Sequence, residues 1–201
     1  MTSIESITLE VADPAAAERF YTAAFGLGSR VRVRASDAPT AGFRGFTTSL
    51  IVSQPSTVSS LIDAAVDAGA TTLKPVEKSL WGYGGVVQAP DGAVWKIATS
   101  AKKDSGPATR EVDQIVLLLA AADVATSKRF YVDRGLAVGK SFGKYVEFAM
   151  PGPSPTPTVS HGRPDQSEAG CGPPSAKSLL KNTRRTTTLR ILAHHPAALP
   201  T

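Results

Sequence analysis

The feature that most constrains this 201-residue chain is a stretch that occurs twice. "ADPAAAERFYTAAFGLG" at 12–28 and "ADVATSKRFYVDRGLAVG" at 122–139 share an aspartate ahead of a helical pattern and an Arg-Phe-Tyr inside it. Asp13, Arg19, Phe20 and Tyr21 return as Asp123, Arg129, Phe130 and Tyr131, each displaced by 110 positions. Repetition at this scale implies duplicated modules, each too small to bury its apolar face alone. In both copies the aspartate stands at an N-cap position, where its carboxylate can take up a free backbone N–H. Pro14 adds a residue suited to the first helical turn. The paired aromatics at the two equivalent helix positions read as core packing.

Between the repeats, alternation and punctuation define the remaining elements. "SITLEVAD" alternates Ile7, Leu9 and Val11 with polar residues, the period of a half-buried strand. A helix from Pro14 to Gly26 follows, then a second strand, "SRVRVRAS", with arginines on one face. "FTTSLIVSQ", the helix "PSTVSSLIDAAVDAGA" and three strands, "TTLKPVEKS", "GYGGVVQA" and "AVWKIATS", make a strand–helix–three-strand unit over about 46–100. Its last two strands are joined by Pro90-Asp91-Gly92, a tight-turn sequence. "AKKDSGPATRE" at 101–111 reads as a linker by composition. The second copy continues through "LAVGKSF" and "KYVEFAM" and is expected to stop near residue 150, leaving it incomplete.

Composition changes sharply at that point. Residues 151–201 hold 9 of 15 prolines, Cys171 and all three histidines, but no Phe, Trp or Tyr. They also carry +4 of the net charge of +5, so the first 150 residues are nearly neutral and a nucleic-acid partner is not expected. Such a tail is expected to be disordered, or to be the product of a shifted reading frame. The longest apolar run, "IVLLLAAADVA", is too short to cross a bilayer, and the N-terminal stretch does not read as a signal peptide. A single cysteine fits a reducing, cytoplasmic setting. The expected organisation is therefore a domain over 1–100, a linker over 101–111, the start of a second copy over 112–150, and a tail.

Taken together, the strand–"D…FY…GLG" openings and "GYGGVVQAPDGAVWKIA" resemble the vicinal-oxygen-chelate superfamily of glyoxalases, bleomycin-resistance proteins and extradiol dioxygenases. The resemblance covers roughly residues 3–150. It implies an α+β fold of paired βαβββ modules whose curved mixed sheet surrounds a cleft, here with the second copy incomplete. It also leaves room for a homodimer in which two chains pair modules. Metal-bearing relatives hold their ion in the cleft with inward-facing His, Gln and Glu. By motif, the first-strand ligand falls on Ser6 and the one after the PDG turn on Lys96. The second copy offers Gln114 or, with a different register, Val116.

Those residues make a poor metal site. An ammonium has no lone pair to give, and a hydroxyl is a weak substitute for imidazole. Residues 1–150 contain neither His nor Cys, so no metal and no other cofactor is expected there. Lys96 has two readings: a salt bridge with Glu10 across the sheet, or an anchor for an anionic ligand. Trp81 and Tyr83 stand among glycines, where they could hold a flat ligand between rings or close the edge of the core. Arg30, Arg32 and Arg34 read as a solvated strand face. The expected function is metal-free binding of a small organic ligand by Ser6, Glu10, Trp81, Tyr83, Lys96 and Gln114. The alternatives are a glyoxalase- or lyase-type enzyme with Glu10 as base and Lys96 as electrostatic stabiliser, and a truncated paralogue without activity.

Overall fold

The structure is a computed structural model that describes residues 4–37, 45–80, 82–121, 123–143, 145–150, 154–161 and 187–190. The repeated aspartates do the same work in both copies. Asp13 caps α1 (Pro14–Phe25) by accepting from Ala16 N at 3.0 Å. Asp123 caps α3 (Val124–Val132) by accepting from Thr126 N at 3.0 Å. The rings behind the caps match as well. Phe20 and Tyr21 meet edge to face at 5.1 Å, and Phe130 and Tyr131 at 5.2 Å.

Hydrogen bonds to Thr126 hold the Asp123 carboxyl below its ordinary pKa of 3.8. A carboxylate stabilised in the folded state contributes stability that is complete above the unfolded pKa and is lost as pH falls through the lower folded one. Unfolding free energy measured against pH should therefore keep its value at neutral pH in Asp123→Asn, while its decline in the acid limb becomes shallower. An acid limb identical to that of the parent would remove this assignment.

The strands form two sheets. β1 (Ile4–Val11) lies between β2 (Val31–Ala35) and β11 (Thr187–Arg190), parallel to both. The remaining strands are β3 (Phe46–Ile51), β4 (Thr71–Ser79), β5 (Gly82–Gln88), β6 (Val94–Thr99), β7 (Gln114–Ala121), β8 (Ala137–Phe142), β9 (Tyr145–Ala149) and β10 (Thr156–His161). They build one open mixed sheet in the order β4-β5-β6-β3-β7-β10-β9-β8. With α2 (Pro55–Asp67) after β3 and α3 after β7, each half is a strand–helix–three-strand unit with its first and last strands parallel. The halves join where β3 meets β7 antiparallel. Pro75 sits on β4 at the sheet edge, where a missing N–H is tolerated.

Strand β10 corrects the stop expected at residue 150. It pairs with β7 and β9, and buries Thr158 and Val159. The proline content hid it. Pro157 precedes the stretch that pairs with β9, which begins at Thr158, so the ring does not interrupt that ladder. Among the described residues, the abbreviated unit is the N-terminal one, where the next element after β1, α1 and β2 is β3. The rest of the expected tail, 162–186 and 191–201, lies outside the described residues.

The core gathers behind the large sheet. α2 packs on β5 and β6, α3 packs on β9 and β10, and α1 lies against α2. Leu50, Val58, Leu61, Ile97, Ile115 and Trp95 are fully buried there. Tyr21 reaches Trp95 and donates its hydroxyl to Asp91 Oδ2 at 2.7 Å, so the aspartate of the PDG turn anchors α1. Gly92, at φ 85°, supplies the left-handed residue of that turn.

One expectation about a polar segment changes. The 101–111 stretch is a strap rather than a free linker. Gln54 Oε1 accepts from Ser105 N, Ser105 Oγ and Gly106 N, and its Nε2 donates to Pro107 O. Arg110 then donates to the Ala23 and Ala24 carbonyls at the end of α1. Arg32 and Arg34 stay exposed on β2, as a solvated strand face requires, while meeting Glu5 and Glu10; Arg30, half-buried ahead of the strand, donates to Val112 O.

Candidate functional site

Strand alternation sorts the large sheet into two faces. On β7, Ile115 and Leu117 are buried among the residues that pack on α2, while Gln114, Val116 and Leu118 are half-buried on the other side. That second face forms a cleft of about 480 Å³. Lys96 stands in its floor, exposed, in register with Ser49 on β3. The row continues through Val116 on β7 to Thr156 on β10. Both halves of the sheet thus contribute their first and last strands to one surface.

One end of the cleft is charged and paired. Lys74 meets Glu77 at 3.0 Å on β4. The other end is rich in hydrogen-bonding oxygen. Tyr145 donates to Glu147 Oε2 at 3.2 Å, beside Thr158 on β10. Burial, and next the charge of Glu147, push the Tyr145 phenol above its ordinary value, so it stays protonated through neutral pH. Between the ends, Gln114 Nε2 donates to Thr156 Oγ1 at 2.8 Å.

The six expected site residues separate on this geometry. Lys96 and Gln114 line the cleft. Tyr83 touches its rim, but its ring packs toward the core and its hydroxyl meets Ser59 on α2 at 3.3 Å. Trp81 lies outside the described residues. Ser6 and Glu10 belong to β1, in the smaller sheet. Ser6 is fully buried, with no hydrogen-bond partner for its hydroxyl among the described residues. Glu10 forms an ion pair with Arg34 and accepts from Ser36 Oγ at 3.3 Å. A salt bridge to Lys96 across one sheet is therefore not the arrangement, since β1 and β6 are strands of different sheets.

The residue beside Lys96 on the parallel first strand is Ser49. Its signal was present in the sequence: "FTTSLIV" precedes a Pro-started helix, as "SITLEVAD" does. Tyr145 and Glu147 were read only as part of a strand. Their approach to the cleft depends on β10 lying between β9 and β7.

A metal ion does not suit this floor. Lys96 has no lone pair when protonated, Val116 has no donor atom, and the Ser49 and Thr156 hydroxyls are weak ligands. Among the described residues, no three His, Cys, Asp or Glu gather as a metal site.

Two strand–helix–three-strand units joined through their first strands, with a cleft on the exposed face, define the glyoxalase/bleomycin-resistance/dioxygenase fold, and this chain has it. Glyoxalase I from Zea mays superposes with a TM-score of 0.57 at 14% identity, over 81% of this chain and 69% of that one. A Bacillus subtilis protein proposed to be a dioxygenase gives 0.54 at 12% identity, over 79% of this chain and 63% of that one. At these identities the likeness is one of fold. No protein-family model matches the chain, and no curated protein does. Among the described residues, no helix is long and apolar enough to cross a membrane.

Proposed function

We propose that the protein binds a small organic molecule in this cleft without a metal ion. The observation that carries the reading is the cleft itself. Its volume of about 480 Å³ falls within the roughly 300–1,000 Å³ usual for small-molecule sites. Its lining sets apolar side chains, Ile51, Val86, Val116 and Leu118, among polar ones that can fix a ligand's orientation. The donor set around Lys96 supports the metal-free part.

The test is thermal unfolding in the presence of flat aromatic antibiotics and of Zn²⁺ or Ni²⁺. Saturation at a hundred times Kd should stabilise the fold by about 2.7 kcal/mol, a rise of several degrees, for at least one organic compound. Val116→Trp, which fills the centre of the cleft, should abolish that rise. Metal ions should give no comparable shift. The reading fails if no organic compound stabilises the protein, or if a metal ion alone does so.

A further inference from the structure

We propose that the centre of the cleft receives an uncharged amide of the ligand, read by Ser49 and Gln114, and that Thr156 sets the way Gln114 faces. This assigns a chemical class to the molecule and rests on the cleft-binding reading. Two cross-strand pairs make this centre: Ser49 opposite Val116, and Ile51 opposite Gln114. All four side chains line the cleft, so polar and apolar groups alternate as a checkerboard across the β3–β7 seam. Ser49 and Gln114 are diagonal neighbours on it, roughly 7–8 Å apart at Cα, a gap that one small polar group can bridge.

Gln114 has a fixed direction. Its Nε2 donates to Thr156 Oγ1 at 2.8 Å, and Thr156 is buried on β10 in register with Val116. With the nitrogen committed toward β10, the carbonyl oxygen is the arm turned away from that strand. It has no hydrogen-bond partner among the described residues. The Ser49 hydroxyl also has none among them, and it can give a proton as well as take one.

An amide carries on adjacent atoms what these two groups need: an N–H for the Gln114 oxygen, and a carbonyl for the Ser49 proton. Ile51 and Val116 shield both bonds from water, which strengthens them. A carboxylate, drawn toward Lys96 in register beside Ser49, would set oxygen against the Gln114 oxygen with no proton between them. An ammonium would sit among neutral side chains, with no carboxylate in either pair to balance its charge. The ligand class that fits is a primary or secondary amide carried on an apolar body.

Four probes of similar shape test the assignment by calorimetric titration of the full chain: 3-phenylpropanamide, methyl 3-phenylpropionate, 3-phenylpropionate and 3-phenylpropylamine. The amide should bind about tenfold more tightly than each of the others, the value of one well-shielded hydrogen bond. The ester keeps the carbonyl and lacks the N–H, so Gln114→Leu should bring the amide down to the ester. Ser49→Ala should weaken both alike, several-fold. Thr156→Val should narrow the gap between amide and ester while leaving ester affinity in place, and Thr156→Ser should restore the gap. An unchanged gap in Thr156→Val removes its positioning role. The four-probe comparison in the parent chain carries the test if a variant does not fold. An amide that binds no better than the ester overturns the assignment, as does tighter binding of the propionate or the amine, and each leaves the cleft reading intact. Absence of binding by all four also overturns it, and the cleft reading falls with it only when no organic compound stabilises the protein.

Discussion

Trp95→Ala is expected to lower the unfolding free energy by about 4 kcal/mol, the upper part of the range for deleting a buried aromatic. Trp95 is fully buried on β6, and it is the meeting point of two elements distant in sequence. Tyr21 and Phe25 of α1 lie against it at ring separations of 5.2 and 5.0 Å. Alanine would leave a cavity beneath α1 and strip the helix of its aromatic seat beside the Tyr21–Asp91 hydrogen bond. The change should be read from urea unfolding, as a fall in midpoint at an unchanged slope. Trp95→Phe separates volume from identity. The indole N–H has no partner among the described residues, so phenylalanine loses size but also discards a buried unsatisfied donor. Its cost should stay below about 2 kcal/mol. A cost for Trp95→Ala of under about 2 kcal/mol would show that α1 is not seated on this ring.

Gln54→Ala should be nearly as severe, at about 3 kcal/mol. The side chain is 2% exposed and receives two backbone N–H groups of the strap while donating to a strap carbonyl. Alanine deletes all of these bonds and leaves their partners to be hydrated through a gap beside the N-terminus of α2. In a chain of this length the change corresponds to a fall in Tm of roughly 6–12 °C. Proteolysis gives an independent readout, since residues 104–107 should become cleavable before global unfolding. A variant as stable and as protease-resistant as the parent would show that residues 101–111 are only a tether.

Gln54 also shows where sequence reading reaches its limit. Strand and helix order could be read because it is written in local signals: the period of two in "SITLEVAD", Pro55 opening a helix, and Pro90-Asp91-Gly92 turning a hairpin. The strap could not, because Lys, Asp, Ser, Gly and Pro at 102–107 have the composition of a linker whether or not a distant amide receives their backbone. Pro157 misled in the same way. Its residue type argues against a sheet interior, while its place before the β9 ladder makes it harmless. In the cleft, Lys96 and Gln114 were legible because they follow a turn and open a strand. Ser6 was misplaced because the first strand was matched to the PDG hairpin, whereas β3 is the strand parallel to β6. Which strands become neighbours is decided by long-range packing, and no local pattern carries that information.

The seam between β3 and β7 has a consequence for the order of events during folding. Val87 meets Trp95 across a hairpin, whereas Leu50 must find Ile115 after the whole of the first unit has been made. The entropy lost in closing so long a loop is recovered only when both halves already present ordered strands. Each half can therefore organise around its own helix first, and the seam closes late. Because the cleft straddles that seam, its floor comes into being with the final step, and nothing that requires the intact cleft can assist the chain before then.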